Sequence, residues 1–178
     1  MEKKRLVFNA KLIAKMGIFT ALSFALTFLE FPIFPVAPFL KLDFSNVFVL
    51  IGGFSLGTIP GVIILLVKEA LCLLKSSTLV GQLANVLIGL SFTLVPFICY
   101  GLKRNFKTAV ISLIIGAFLM SGISLPVNRY INFPLYGAPD SAIISLWGFV
   151  LLFNVIKSVS TVILTLLLYK RVKKILNF

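Results

Sequence analysis

Long apolar runs, separated by short polar or charged segments, dominate the pattern of this chain. They predict an all-α integral membrane protein, since about 20 mainly apolar residues cross the hydrocarbon core of a bilayer. The predicted spans cover residues 11–29, 46–59, 60–75, 79–102, 108–130 and 142–169. The connections between them are short, so the whole of residues 1–178 is predicted to form one compact bundle without a soluble domain.

The second and third spans are predicted from one apolar run that is interrupted in its middle. Gly57, Pro60 and Gly61 lie at the interruption, and residues of this kind break helices or mark turns. Charge supports the same division. The basic N-terminus and the basic segment 103–107 lie on one side of the membrane only if an even number of spans separates them. Six spans then place both termini in the cytoplasm.

The first span follows a basic N-terminus, as the apolar region of a secretory signal does. It is too long for a signal peptide, and no A-x-A cleavage pattern follows it, so we expect a retained helix. Small residues recur along it at steps of three and four, at Ala10, Ala14, Gly17, Ala21 and Ala25. This spacing places them on one helical face, where either another helix of the bundle or a partner helix can approach closely.

The loop between the first two spans, residues 30–45, alternates proline with phenylalanine. Pro32, Pro35 and Pro38 exclude a regular helix as far as Phe39, because proline fixes φ and lacks an amide donor. Connecting segments are usually polar, so this aromatic content has two interpretations. The loop either anchors at the headgroup level of the bilayer or forms a stiff lid that lays aromatic side chains over a flat ligand.

Composition supports the membrane assignment and excludes several classes of function. Hydrophobic residues make up 60% of the chain and charged residues 12%, which is typical of a bundle embedded in lipid. With no histidine and only two cysteines, no zinc site or histidine-containing catalytic triad can be assembled. The P-loop pattern G-x-x-x-x-G-K-[ST] is absent. The sequence therefore predicts a protein that is not an enzyme, carries no cofactor and draws energy from partners or a gradient.

The net charge of +12 is concentrated in three short basic segments. They lie within residues 3–15, 103–107 and 170–174. Each flanks an apolar run, as the cytoplasmic ends of membrane helices do. This distribution favours contact with the lipid bilayer, including its anionic lipids, and argues against nucleic-acid binding.

Polar side chains within the spans are candidates for function, because they are costly in lipid. Asn154 and Lys157 lie three residues apart and so share one face of the sixth helix. Lys157 is interpreted either as a ligand contact or as a structural residue held by Glu69 or by a helix carbonyl. Asn128 and Asn85 lie near the outer ends of the fifth and fourth helices. We expect these amides and Lys157 to converge below the lid, where an amide offers a donor and an acceptor together.

The segments FPIFPVAPFLKLDFSN, GGFSLGTIPG, VGQLAN, NRYINFPLYG and FNVIK resemble the riboflavin-specific S components of energy-coupling factor (ECF) transporters. The resemblance extends from the first helix to the last. In that family six helices form a membrane subunit that captures the vitamin from outside the cell. The subunit docks on a module of one transmembrane coupling protein and two cytoplasmic ATPases, which are the partners that the resemblance implies.

The resemblance also implies riboflavin as a transported substrate, a bacterial cell-membrane location and roles for particular residues. It assigns residues 30–45 as the lid and two small residues of the first helix, Gly17 and Ala21, as the docking motif, with Gly17 standing where the family has alanine. Gln82 stands where the family more often has glutamate, so no role is assigned to it. The predicted substrate-binding residues are Phe39, Leu40, Lys41, Asp43, Asn85, Asn128, Asn154 and Lys157.

Other functions stay open at this point. An S component for another vitamin, such as thiamine, would share the fold. A gradient-driven carrier would need a buried acid or a sodium site, for which Glu69 is the one candidate. A membrane enzyme would need a reactive constellation of side chains, and the sequence offers none.

Overall fold

The computed structural model describes residues 8–75, 79–137 and 140–176. A 3₁₀ turn (Thr27–Leu29) extends the first helix, and a π-helical turn (Asn128–Asn132) joins the fifth helix to the sixth. The helices are α1 (Ala10–Leu26), α2 (Asn46–Leu56), α3 (Thr58–Lys75), α4 (Leu79–Leu102), α5 (Phe106–Val127), α6 (Phe133–Leu135) and α7 (Asp140–Leu176).

Within the described residues, the helices other than the three-residue α6 have the chain order of the six predicted spans. The break between α2 and α3 falls at Gly57, whose φ of 109° is readily adopted only by glycine. Pro60 lies in the first turn of α3, where a missing amide donor is tolerated. The glycine–proline signal in the sequence therefore marks a turn between two helices.

Four helical segments in the described part of the chain are long and apolar enough to cross a membrane. They are Ala10–Leu29, Leu79–Leu102, Phe106–Leu135 and Ile144–Val172. By contrast, α2 has only 11 residues, and α3 carries Lys68, Glu69 and Lys75. Helix α2 is mostly buried within the bundle, whereas α3 also exposes apolar side chains such as Leu66, Val67 and Leu74.

Helix α2 lies in the centre of the bundle and contacts α1, α3, α4 and α7. Eight of its residues are buried. Glycines allow the close approach: a Cβ atom on Gly53 would lie 2.0 Å from Cε1 of Phe97, and one on Gly61 would lie 2.7 Å from Cα of Gly53. The apolar core therefore depends on the absence of side chains at these two positions.

The ends of the lid loop pair with each other as two short strands, β1 (Phe31–Pro32) and β2 (Lys41–Leu42). They are antiparallel, with Phe31 opposite Leu42. The sequence does not predict this pairing, because proline is disfavoured in strands except at edges and strand starts. Pro32 meets that condition in a ladder of only two residues. The pairing closes the lid into a loop, and Phe34 and Phe39 belong to the segment that connects the two strands.

Candidate functional site

The end of the lid is attached to α7 by an ion pair. Nζ of Lys157 donates to Oδ2 of Asp43 at 2.6 Å, and the two side chains are 11% and 13% exposed. Ser45 supports the same carboxylate, because both its backbone N–H (2.9 Å) and its hydroxyl donate to Oδ1. The structure thus gives Lys157 a partner other than Glu69 or a helix carbonyl.

Asp43 is held in its ionised form. Burial raises the pKa of its carboxyl, but the Lys157 ammonium, with a further contribution from Lys68, lowers it more. The pKa therefore lies well below its usual range, as expected where opposite charges lie close together in a partly dehydrated place. The lid end carries a fixed negative charge at all physiological pH values.

A second buried ion pair lies beside the first, on α3. Lys68 and Glu69 contact each other, and their side chains are 4% and 5% exposed. Nζ of Lys68 also donates to Oγ of Ser45 (3.2 Å) and to Oδ1 of Asn46 (3.4 Å). Glu69, which the sequence offered as a partner for Lys157 or as a coupling acid, is thus paired with its neighbour in the chain.

Two of the three predicted amides, Asn128 and Asn154, are buried, with 5% and 4% of their surface exposed. Nδ2 of Asn154 donates to the carbonyl of Val150 at 2.9 Å, and Nδ2 of Asn128 donates to that of Ser124 at 2.8 Å. Each bond lies within one helical turn and fixes the direction of the side chain. The side chains of Asn128 and Asn154 each have, in addition, an amide oxygen that can accept and a second N–H that can donate.

Asn132 is a neighbour of this set that the sequence analysis missed. Its Nδ2 donates to Oδ1 of Asn128 at 2.8 Å. Its own Oδ1 is buried without a hydrogen-bond partner, which is rare in proteins. The spacing of four residues from Asn128 was the available signal, since it places both amides on one helical face. Oδ1 of Asn132 is an acceptor that a ligand N–H would satisfy.

Aromatic contacts join the lid to α6 and α7. The ring of Phe39 lies edge-on to Phe133, with centroids 6.4 Å apart, and Phe34 lies edge-on to Phe149 at 5.4 Å. Next to Phe133 is a narrow cleft without room for a water molecule. The cleft is lined by Leu125, Asn128, Arg129, Phe133, Trp147 and Val150.

The remaining predicted lid residues differ in their surroundings. Leu40 is buried and belongs to the same apolar cluster as Phe133 and Phe153. Phe39 is 50% exposed, and the exposed Lys41 forms an ion pair with Glu30 at 3.0 Å. The lid therefore has an apolar inner side, and its outer side carries both exposed apolar residues and the Lys41–Glu30 ion pair.

Asn85 forms its hydrogen bond within its own helix, and not with the Asp43–Lys157 pair. It is exposed on α4, and its Nδ2 donates to Oε1 of Gln82 at 3.3 Å, within its own helix. Helix α4 contacts the π-helical turn that contains Asn128 and Asn132. Asn85 remains a predicted contact from the fourth helix.

The small-residue face of α1 lies on the outside of the bundle. Ala10, Ala14, Gly17, Ala21 and Ala25 are all exposed. A Cβ atom on Gly17 would meet nothing within 4 Å. Of the two interpretations of this face, packing within the bundle does not occur among the described residues, and the face is open to another helix.

Comparison with known proteins gives the family. The model of the family described as "ECF transporter, substrate-specific component" matches residues 11–169. The chain belongs to this family. The S-component assignment made from the sequence segments is thereby confirmed.

Individual S components are similar over nearly their whole length. "Riboflavin transporter RibU" of Staphylococcus aureus is 36% identical and covers 95% of this chain and 93% of its own. "Riboflavin transporter FmnP" of Bacillus subtilis is 28% identical, covering 91% and 92%. A solved structure described as the S component of a bacterial ECF transporter superposes with a TM-score of 0.81 at 34% identity, covering 94% of this chain and 98% of that one. The helical bundle is therefore an ECF S-component fold.

Proposed function

We propose that this S component is the riboflavin-binding subunit of an ECF-type vitamin importer in a bacterial cell membrane. It captures riboflavin outside the cell and delivers it by docking on a coupling protein and two ATPases. The observation that carries the proposal is the set of buried polar groups, Asn128, Asn154 and Lys157, on helices that the aromatic lid covers. The relatives named riboflavin transporters support the same substrate.

The chemistry of this set matches a flavin. The pyrimidine edge of the isoalloxazine ring alternates carbonyl groups with an N–H, so it needs both donors and acceptors in one plane. Asn128 and Asn154 supply both kinds of group, and the ammonium of Lys157 supplies a strong donor. The flat ring is suited to stacking against the aromatic side chains Phe39 and Phe133, and Leu40 adds apolar surface. Lys41, Asp43 and Asn85 are assigned to the polar ribityl chain and the rim of the site.

Entry of riboflavin requires the lid to move. Sites that bury small organic ligands usually enclose roughly 300 to 1,000 Å³, whereas the cleft beside Phe133 has no room even for a water molecule. The Phe39–Phe133 and Phe34–Phe149 contacts lie between lid and helices, so separating them enlarges the cleft. The lid is thus assigned the role of a cover that admits the ligand and then closes over it.

The membrane arrangement in this proposal has six spans with both termini in the cytoplasm. The basic residues Arg104 and Lys170 support it, because they lie near the ends of α4 and α7 that meet at Tyr100 and Tyr169. Clusters of this kind are retained on the cytoplasmic side. Gly17 and Ala21 then lie in the middle part of α1, on its exposed face, where the coupling protein docks.

Riboflavin uptake tests the proposal as a whole. Cells without riboflavin uptake of their own would express this chain alone or with the coupling protein and ATPases. We expect uptake only when the full module is present, and none when the ATPases carry inactivating Walker substitutions. Uptake by the chain alone that a protonophore abolishes would instead identify a gradient-driven carrier. Uptake of thiamine in place of riboflavin would identify an S component for that vitamin.

A further inference from the structure

The two ion pairs at the lid end form one hydrogen-bonded network. Lys157 donates to Asp43, the hydroxyl of Ser45 donates to the same carboxylate, and Lys68 donates to that hydroxyl at 3.2 Å. Glu69 completes the network by pairing with Lys68. A single hydroxyl group therefore separates the charges of α3 from the carboxylate that holds Lys157.

Burying the charged side chains of Lys68 and Glu69 costs desolvation free energy. Two adjacent helical residues lie about 100° apart around the axis, yet both side chains are less than 6% exposed. Replacing a buried ion pair by apolar residues is often neutral or stabilising. Ionisable groups within a membrane bundle are usually connected with function. The charges of Lys68 and Glu69 only neutralise each other, so stability alone does not explain why charged residues occupy these two positions.

Ser45 is held from three directions, which makes it a rigid connection. Its hydroxyl joins Lys68 to Asp43, its backbone N–H donates to Asp43 (2.9 Å), and its carbonyl accepts from Oγ of Ser23 on α1 (3.0 Å). Ser45 is 1% exposed. A displacement of Lys68 is consequently transmitted to the carboxylate of Asp43 instead of being absorbed by a mobile side chain.

We propose that Lys68 and Glu69 are positioning residues for riboflavin binding, which fix Asp43 through Ser45 and thereby direct the Lys157 ammonium towards the ligand. The inference rests on the proposed function, because it requires Lys157 to donate to the flavin. Neither α3 residue touches the ligand. Their effect on affinity passes through Asp43 and is lost when Asp43 no longer carries a charge.

A double-mutant cycle on riboflavin affinity tests this inference. The variant Lys68→Met/Glu69→Gln removes both charges together, so that neither is left buried alone. We expect it to bind riboflavin about tenfold more weakly, the effect of losing one hydrogen bond to a charged group. The same two substitutions made in an Asp43→Asn protein should cause no further loss. An equal loss in both backgrounds, or no loss in either, would overturn the inference.

Two further variants separate positioning from a general loss of structure. Ser45→Ala removes the connecting hydroxyl and leaves every charge in place, and it should weaken binding to a similar extent even if the Lys68→Met/Glu69→Gln protein fails to fold. Lys107→Met is the control, because it removes an exposed lysine of α5 that takes no part in this network; we expect less than a twofold change. Unchanged affinity in a folded Ser45→Ala protein would refute the proposed connection.

The failure of this inference is distinguishable from failure of the proposed function. If the unmodified protein does not bind riboflavin, or if Lys157→Met leaves its affinity unchanged, the proposed function or its site is wrong. If Lys157→Met weakens binding while Ser45→Ala and Lys68→Met/Glu69→Gln do not, only the positioning role is wrong.

Discussion

Asp43, near the end of the lid, and Lys157, in the middle of α7, are joined by an ion pair of 2.6 Å although 114 residues separate them in the chain. The pair connects the loop that covers the candidate site with the helix that carries two of its polar groups. It also means that Lys157 has a structural partner as well as a proposed ligand. Experiments on Lys157 must therefore separate binding from folding.

The substitution Lys157→Met tests the proposed ligand contact. It keeps the length of the side chain but removes the donor, so riboflavin binding should weaken by about 1.5–3 kcal/mol, as for a hydrogen bond with a charged group. It also leaves Asp43 buried without its partner, which should lower the free energy of unfolding by about 3–5 kcal/mol. Flavin fluorescence titration and thermal unfolding in detergent measure the two effects separately.

The double variant Asp43→Asn/Lys157→Met is the control for that experiment. It removes both charges, so most of the lost stability should return while binding stays weak. If a well-folded Lys157→Met protein bound riboflavin with unchanged affinity, Lys157 would have only the structural role of holding the lid.

Acid should weaken the attachment of the lid. Because the pKa of Asp43 lies well below its usual range, its ion pair stabilises the fold fully above the unfolded pKa of about 4. This stabilisation is lost as the pH falls below that value towards the folded pKa. Protonation of Glu30 should also destabilise the fold in acid. Burial raises the pKa of its carboxyl, but its partners Lys75 and Lys41 lower it more.

Thermal unfolding between pH 7 and pH 2.5 measures this acid dependence. As far as Asp43 and Glu30 determine it, the unfolding temperature should change little between pH 7 and about pH 5 and then decline. Asp43→Asn should decline less steeply over the acid range. A parallel decline in both proteins would contradict the role assigned to the Asp43 carboxylate.

The variant Gly17→Leu/Ala21→Leu tests docking on α1. Both positions are exposed and Gly17 has open space around it, so bulky side chains should not disturb the bundle. They should block close approach of a helix of the coupling protein. We expect normal riboflavin affinity, loss of co-purification with the coupling module and loss of ATP-dependent uptake.

Gly122→Leu on α5 is the matched control for docking. Gly122 is exposed and has nothing within 4 Å of an added Cβ, so the substitution adds the same bulk to a different outer face. It should leave complex recovery intact. Normal recovery with Gly17→Leu/Ala21→Leu would exclude this face as the docking surface, and a loss of riboflavin affinity would show that the face is important within the bundle.

The contact between α2, α3 and α4 should tolerate no side chain at Gly53. A Cβ there would lie 2.0 Å from the ring of Phe97, so Gly53→Ala should destabilise the protein by at least about 1–3 kcal/mol through overpacking. Gly122→Ala, in open surroundings, should be neutral or slightly stabilising because alanine favours helix. Equal unfolding temperatures of the two variants would contradict the packing described for Phe97.

The sequence predicted the helices well because the signal is local. Each long apolar run is visible over about 20 residues, and the turn at Gly57 is marked by its neighbours. The exposed face of α1 was also visible as a spacing of small residues, but the sequence could not say whether that face lies inside or outside the bundle. That distinction depends on how the other helices pack around α1.

The polar contacts could be predicted only in part, because they depend on distant parts of the chain. Asn128, Asn154 and Lys157 were recognisable as polar groups in apolar helices. The partner of Lys157 was not, since Asp43 comes from the lid and only the folded bundle brings the two together. Lys68 and Glu69 were overlooked as a pair for a different reason: adjacent residues normally point to different sides of a helix, and here both turn inward.

The most direct test of the central claim is an equilibrium titration of the purified chain with riboflavin. Binding should quench flavin fluorescence with a Kd below 1 μM, equivalent to more than roughly 8 kcal/mol of binding free energy. Excess thiamine or biotin should leave the titration curve unchanged. No quenching at micromolar riboflavin, or binding of thiamine or biotin as tight as that of riboflavin, would contradict the assignment of this S component to riboflavin.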